Sequence, residues 1–118
     1  NTIGSGIKTT SPNNVEKEMS KLIDWYNSLK NVTIKDIIEF HYRFESIHPF
    51  QDGNGRIGRI IMFKECLKNN IVPFIIQDAD KLFYYRGLKE YKSEKGYLTD
   101  TCLNAQDQYI KMIEYYLK

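Results

Sequence analysis

His48-Pro49-Phe50-Gln51-Asp52-Gly53-Asn54-Gly55-Arg56-Ile57-Gly58-Arg59 is the stretch on which the fold turns. Gly53 to Gly58 spells G-x-G-x-x-G, the spacing of a dinucleotide-binding turn, which needs a strand before it and further βαβ units after it. Here a helical pattern and Pro49 come first, and no alternating strands follow, so an α/β reading fails. A P-loop fails as well, because Arg59 and Ile60 stand where that motif needs Lys and Ser or Thr. An EF-hand begun at Asp52 would put Ile57 at its glycine position and Phe63 at its closing glutamate. The segment is a connection between two helices.

Upstream, Thr33 and Asp36 read as a capping box, and Ile34, Ile37, Ile38, His41 and Phe44 recur at helical spacing. Pro49 ends that helix, because its ring disfavours helical geometry at the residue before it. An earlier helix is expected over residues 15–29, started by Ser11-Pro12 and carrying Val15, Met19, Leu22, Ile23 and Tyr26 as its stripe. Downstream, a third helix over 56–68 rests on Ile57, Ile60, Ile61 and Leu67 and is stopped by Asn69-Asn70. Residues 71–76 read as extended and buried, with Pro73 arguing against a central strand. Asp78 or Asp80 is the expected cap of a fourth helix carrying Leu82, Tyr85 and Leu88. Gly96 separates it from a fifth, begun near Thr99 or Asp100 and ending in Ile110, Ile113 and Leu117. With no repeat and no long linker, residues 1–118 read as one all-α domain, a compact bundle of about five or more helices.

Composition narrows the function. A hydrophobic content of 42% supports a core, and a net charge of +2 with both signs interspersed gives no case for nucleic-acid binding. Any positive field is local, and Arg56 with Arg59 is the place for it. Cys66 and Cys102 lie far apart and form no CxxC pair, so they read as unpaired thiols. The sequence shows no signal peptide and no long apolar run, which fits a cytoplasmic protein. It begins at Asn1 rather than Met and so reads as a fragment or a processed product.

The chemistry of the loop follows from its residue types. Its glycines let consecutive N–H groups converge on an anion, where the next helix presents the positive end of its dipole. Arg56 and Arg59, three apart on the first turn, can face that same anion. Asp52 supplies a hard oxygen for a Mg²⁺ that keeps its other positions for phosphate and water. His48 brings an imidazole, the side chain suited to taking a proton near neutral pH. Phe50, between polar neighbours, reads as a buried anchor for the loop. His41, Glu45 and His48 have the i, i+4, i+7 spacing of a one-faced metal site, but His41 belongs to the apolar stripe and reads as a core histidine.

Residues 48–59 resemble the signature of the Fic (filamentation-induced-by-cAMP, or Fido) family, His-Pro-Phe-x-Asp/Glu-Gly-Asn-Gly-Arg-x-x-Arg, and meet every specified position. Leu22-Ile23-Asp24-Trp25 and Tyr84-Tyr85 with Leu88 are similar to further helical segments of that family, so the likeness covers roughly residues 12–117. The resemblance implies an all-helical fold that transfers AMP from ATP to a Tyr, Thr or Ser hydroxyl of a target protein. It implies His48 as the base, Asp52 on Mg²⁺, and Gly53, Asn54 and Gly55 as the anion hole. Arg56 and Arg59 would hold the outer phosphates, with Arg59 on the γ-phosphate. Tyr85 is a candidate for the adenine pocket or for packing, and Tyr84 reads as structural. Lys92 stands where some relatives have an asparagine near the adenine, which bears on base preference.

Family members also carry a β-hairpin flap that registers the target, of which residues 1–10 would be a remnant ahead of a helical core over 11–118. Many carry an inhibitory Ser/Thr-x-x-x-Glu-Gly/Asn helix, yet no glutamate here is followed by Gly or Asn. The resemblance therefore points to inhibition by an upstream helix or by a separate antitoxin chain. The competing functions are a non-catalytic nucleotide-binding or interaction module, removal of AMP from a modified protein, and transfer of another nucleotide-derived phosphate group. Doc-type relatives, which transfer phosphate, carry lysine where this chain has Gly55.

Overall fold

The computed structural model describes residues 9–50 and 52–117. A 3₁₀ turn at Pro12–Asn14 leads into α1 (Val15–Asn27). There follow α2 (Ile34–Ile47), α3 (Asn54–Lys68), a second 3₁₀ turn at Asp78–Asp80, α4 (Lys81–Lys89) and α5 (Gly96–Leu117). No strand occurs among the described residues, and the fold is all-α, as the sequence predicts. Most of the expected flap remnant, residues 1–8, lies outside the described residues.

The start of α2 is the local signal the sequence states most clearly. Thr33 accepts a hydrogen bond from the Asp36 backbone N–H at 3.3 Å, and Asp36 Oδ2 accepts from the Thr33 N–H at 2.9 Å. Two orphan donors of the first turn are thereby satisfied. Ile37 and Ile38 then enter the main core with Met62, Cys66, Phe74, Tyr84, Leu88, Leu98 and Cys102. A second cluster of Leu22, Phe44 and Ile47 joins α1 to α2, with Arg43 stacked 4.9 Å over the Trp25 ring. Cys66 and Cys102 are free and buried, and burial pushes their thiols up to about 11 and about 12. Residues 71–76 run without regular structure, burying Pro73, Phe74 and Ile76.

Six expectations about the helices are corrected. The inward face of α3 is Asn54, Gly58, Met62 and Cys66, whereas Ile60 and Leu67 of the expected stripe are 60% and 56% exposed. The reason is close approach: Gly58 is pressed on Glu45, His41 and Phe44 of α2, where a larger side chain would collide. That helix also starts at Asn54 rather than Arg56, because Gly53 takes the left-handed conformation (φ 79°) that sets its first turn. α4 starts without a side-chain cap from Asp80, the preceding 3₁₀ turn guiding the chain in, and Leu82 on it is 82% exposed. α5 begins at Gly96, three residues early, and buries Leu98, Cys102 and Ala105. Ile113 and Leu117 near its end are open to solvent.

Candidate functional site

The motif occupies the turn where α2 ends and α3 begins. Helix α2 stops at Ile47, and His48 takes a left-handed conformation (φ 55°, ψ 60°) while its N–H donates to the Phe44 carbonyl at 3.0 Å. Such a φ is uncommon outside Gly, Asn and Asp. It turns the chain sharply enough for Pro49 to follow and leaves His48 at the edge of the helix. The imidazole Nδ1 is buried with no hydrogen-bond partner among the described residues. The ring lines a groove of about 440 Å³ with Thr9, Thr10, Pro12, Val15, Pro49 and Phe50.

Asn54 closes the loop from the other side. Its side chain is 2% exposed, and the amide grips Phe50 twice. The Phe50 N–H donates to Asn54 Oδ1 at 2.9 Å, and Asn54 Nδ2 donates to the Phe50 carbonyl at 2.6 Å. The Asn54 side chain is thus used up inside the loop, and what this position can offer an anion is its backbone. Ile57 N–H is the first to find an intrahelical partner, the Gly53 carbonyl at 2.9 Å. The earlier amides of Asn54, Gly55 and Arg56 stand at the positive end of a fifteen-residue helix, the arrangement that binds phosphate. The Phe50 ring, expected as a buried anchor, is 49% exposed. The Asn54 clamp fixes the loop through the Phe50 backbone, so the ring is not needed for it.

Arg56 and Arg59 do come together, lining one cavity of about 230 Å³ with Met62, Phe63, Phe74 and Ile76. Arg56 is exposed, whereas the Arg59 guanidinium folds back over the helix start. A Cβ on Gly55 would lie 3.1 Å from Arg59 Nη1, and the guanidinium carbon is 5.7 Å from the Tyr84 ring centre. Glycine at position 55 is what admits that approach. His48 lines a separate groove, so the imidazole and the arginines do not share a cavity. Asp52 is exposed. No cluster of three or more His, Cys, Asp or Glu side chains suited to a metal occurs among the described residues. One open carboxylate fits Mg²⁺, which keeps several waters and takes its remaining ligands from phosphate. Tyr85, 36% exposed, packs its ring 5.4 Å from Tyr84 and does not line the arginine cavity. A larger hollow of about 660 Å³, with Trp25, Glu39, Arg43, Tyr91 and Lys95, contains no motif residue, and chemistry rather than size selects the site.

Beneath the loop lies a buried polar cluster. His41 is 1% exposed, as a core histidine should be, and burial lowers it from 6.5 to about 4. A neutral ring carries one proton, and the Gly58 carbonyl can only accept. Nδ1 therefore donates to Gly58 at 3.2 Å, and Nε2 accepts from the Tyr84 hydroxyl. Tyr84 is held un-ionised by burial and by the neighbouring Glu45, against the pull of Arg59. Glu45, weighed in the sequence only as a metal ligand, is 3% exposed and pushed up from 4.5 to about 7 by burial, with Arg59 opposing the shift. Its helical spacing from Ile38 and His41 was the signal that it faces inward. The His41–Glu45–His48 spacing, set aside in the sequence in favour of a core histidine, makes no metal face among the described residues, because His48 lies beyond the helix end.

The sequence model of the Fic/DOC family matches residues 3–66, just over half of the chain. The protein adenylyltransferase Fic of Nematostella vectensis is 38% identical over 84 residues, covering 68% of this chain and 19% of that protein. A probable protein adenylyltransferase of Aquifex aeolicus is 32% identical over 94 residues, 79% of this chain and 28% of its own length. Protein adenylyltransferase fic-1 of Caenorhabditis elegans is 31% identical over 81 residues, 66% and 16% respectively. The chain spans less than a third of the length of these relatives. Among the described residues no helix is long and apolar enough to cross a membrane.

Proposed function

Because the chain belongs to the Fic/DOC family, we propose that it transfers AMP from ATP to a Tyr, Thr or Ser hydroxyl of a target protein, releasing pyrophosphate. The observation that carries this reading is the helix start itself, where the Asn54–Arg56 amides have no intrahelical partner, a guanidinium folds over Gly55 and an imidazole lines a separate groove. The backbone of Gly53, Asn54 and Gly55 receives the inner phosphates, and Arg56 and Arg59 hold the outer ones, Arg59 on the terminal phosphate. Asp52 would hold Mg²⁺, which supplies charge neutralisation on the phosphates when bound. His48 takes the proton of the incoming hydroxyl as its oxygen attacks the α-phosphorus, and the P–O bond to pyrophosphate breaks. With Nδ1 buried, Nε2 is the nitrogen left to receive that proton. The groove beside His48 admits the target segment. Tyr85 is assigned to the nucleoside side of the site. Target identity is left to the protein partner, and an antitoxin chain or upstream inhibitory helix is the expected means of restraint.

The test uses ATP labelled at the α or the γ position, Mg²⁺ and a lysate as the source of targets. Label is expected to reach protein only from the α position, with the added mass of AMP on one residue. Transfer from the γ position would mean a kinase-like reaction and would overturn the assignment of both arginines. ATP binding without transfer, unchanged by loss of the His48 imidazole, would leave a nucleotide-binding module.

A further inference from the structure

The mechanism above leaves Glu45 unused, although it is a buried carboxyl whose Oε2 has no hydrogen-bond partner. Buried polar atoms are nearly always satisfied, so an orphaned one calls for a reason. The carboxyl is wedged against Gly58, where an added Cβ would collide with Oε2 and come within 3.2 Å of His41 Cε1. Three ionisable groups face it: His41 from its own helix, Arg59 from α3 and Tyr84 from α4. His41 is neutral with both nitrogens committed, and Tyr84 is un-ionised. Among these, Arg59 is the one positive charge able to answer a Glu45 carboxylate; the two form no direct ion pair, and the guanidinium lies 5.7 Å from the Tyr84 ring centre and reaches over Gly55 into the phosphate cradle.

We propose that Glu45 is a positioning residue for Arg59, acting through its charge rather than by direct contact: as a carboxylate it is the buried counter-charge that favours the guanidinium over the cradle, and it takes a proton from solvent when a terminal phosphate draws Arg59 away. This rests on the nucleotide reading of the loop. It differs from the inhibitory glutamate of the family, since Glu45 lies within α2 and is followed by Ser46. A buried carboxylate stripped of its counter-charge and facing a polyanion is strongly disfavoured, so protonation is the relaxation open to it. Burial has already brought the group close to neutral pH, where a modest change in Arg59 suffices to tip it. Arg59 is thereby aligned before ATP arrives, and no unpaired buried anion is left behind once it engages.

Calorimetry of Mg-ATP and Mg-ADP binding in buffers of different ionisation enthalpy tests the idea on the wild type, Glu45→Gln and Arg59→Ala. Wild type should take up more protons with ATP than Glu45→Gln does, and Arg59→Ala should lose that excess. Between pH 6 and pH 8, ATP affinity of the wild type should fall by up to about tenfold more than that of Glu45→Gln, the limit for one group titrating near neutrality. ADP, lacking the terminal phosphate, should show no such difference. Equal proton uptake and parallel pH profiles in wild type and Glu45→Gln would overturn the proposal. Should Glu45→Gln fail to fold, carbon-detected NMR of the wild-type carboxyl decides: a titration midpoint that rises on adding Mg-ATP supports the role, and an unmoved one refutes it. Absence of ATP binding at every pH would fall on the nucleotide reading itself and take this role with it. Binding is the quantity measured, so the result stands apart from whether AMP transfer is observed.

Discussion

The two halves of α2 answer different demands. The N-terminal half, from Thr33 to Ile38, closes every local account: the capping box is reciprocal, and the isoleucines are buried in the main core. The C-terminal half, from His41 to His48, leaves accounts open. It carries two buried ionisable groups, an orphaned carboxyl oxygen, an orphaned imidazole nitrogen and a non-glycine residue at positive φ. Both halves belong to one continuous helix of 14 residues, so the contrast is not one of order against disorder. It separates residues that serve folding from residues that the fold must carry, and such departures from local consistency gather at functional sites.

The contrast breaks first, if it breaks, at His48. Replacing it with glycine should reduce turnover by at least about 10²-fold, the scale for losing a general base. Nucleotide affinity should stay nearly constant, because His48 does not line the arginine cavity. The same variant should be as stable as the wild type or more so, by up to about 1 kcal/mol, since glycine adopts the left-handed conformation freely. A clear loss of stability in urea unfolding would place His48 with the structural half.

Glu45 and His41 sharpen the contrast through pH. Glu45 is raised in the fold, from 4.5 to about 7, so its contribution is full below pH 4.5 and is lost as pH rises through 7. His41 is lowered, from 6.5 to about 4, so its contribution is present above pH 6.5 and is lost as pH falls through 4. The two slopes oppose each other between pH 4.5 and 6.5, where the pair folds as two neutral groups with little net proton exchange; Glu45 becomes a carboxylate as pH rises through 7. Glu45→Gln removes one slope. Its stability relative to wild type should improve by about 3 kcal/mol between pH 4.5 and pH 7, the equivalent of the Glu45 shift. Denaturant midpoints measured across that range check it, and a constant difference would show that Glu45 does not titrate in the fold as described.

The smallest effect belongs to the closed end. Thr33→Ala should cost about 1 kcal/mol, the usual price of an N-cap, with turnover and its pH profile unchanged. A change in the pH profile of turnover would mean that the two halves are not separable.

Much of this division was legible in the sequence. Thr33 with Asp36, Pro49 and Asn69-Asn70 announced helix limits because caps and breakers act over three or four residues. The motif residues were legible because a helix connection has no need of His, Asp and two Arg at fixed offsets. The buried face of α3 was not, since periodicity selects the largest apolar residues, whereas Gly58 faces inward precisely for lack of a side chain. That choice depends on Glu45 and His41 in another helix. Phe50 misled for a related reason. The loop is held by the Asn54 amide on the Phe50 backbone, a contact that residue type alone does not signal. The exposed end of α5 was equally hidden, because apolar spacing continues through Ile113 and Leu117 although the described residues leave both exposed.

The Asn54 clamp also bears on how the molecule ages. Asn54-Gly55 is the only Asn-Gly pair in the chain, the dipeptide whose side-chain amide is most readily lost when the following backbone nitrogen attacks it. In the folded loop that amide is gripped at both ends by Phe50, and the Gly55 nitrogen is fixed in the first turn of a helix. Neither is free to reach the cyclic geometry the reaction needs. Each excursion to the unfolded state lifts that protection. Conversion to aspartate would then set a carboxylate against the Phe50 carbonyl in place of a donor, and the loop could not close as before. The loop would thus keep a chemical record of time spent unfolded, written at the residue that clamps it.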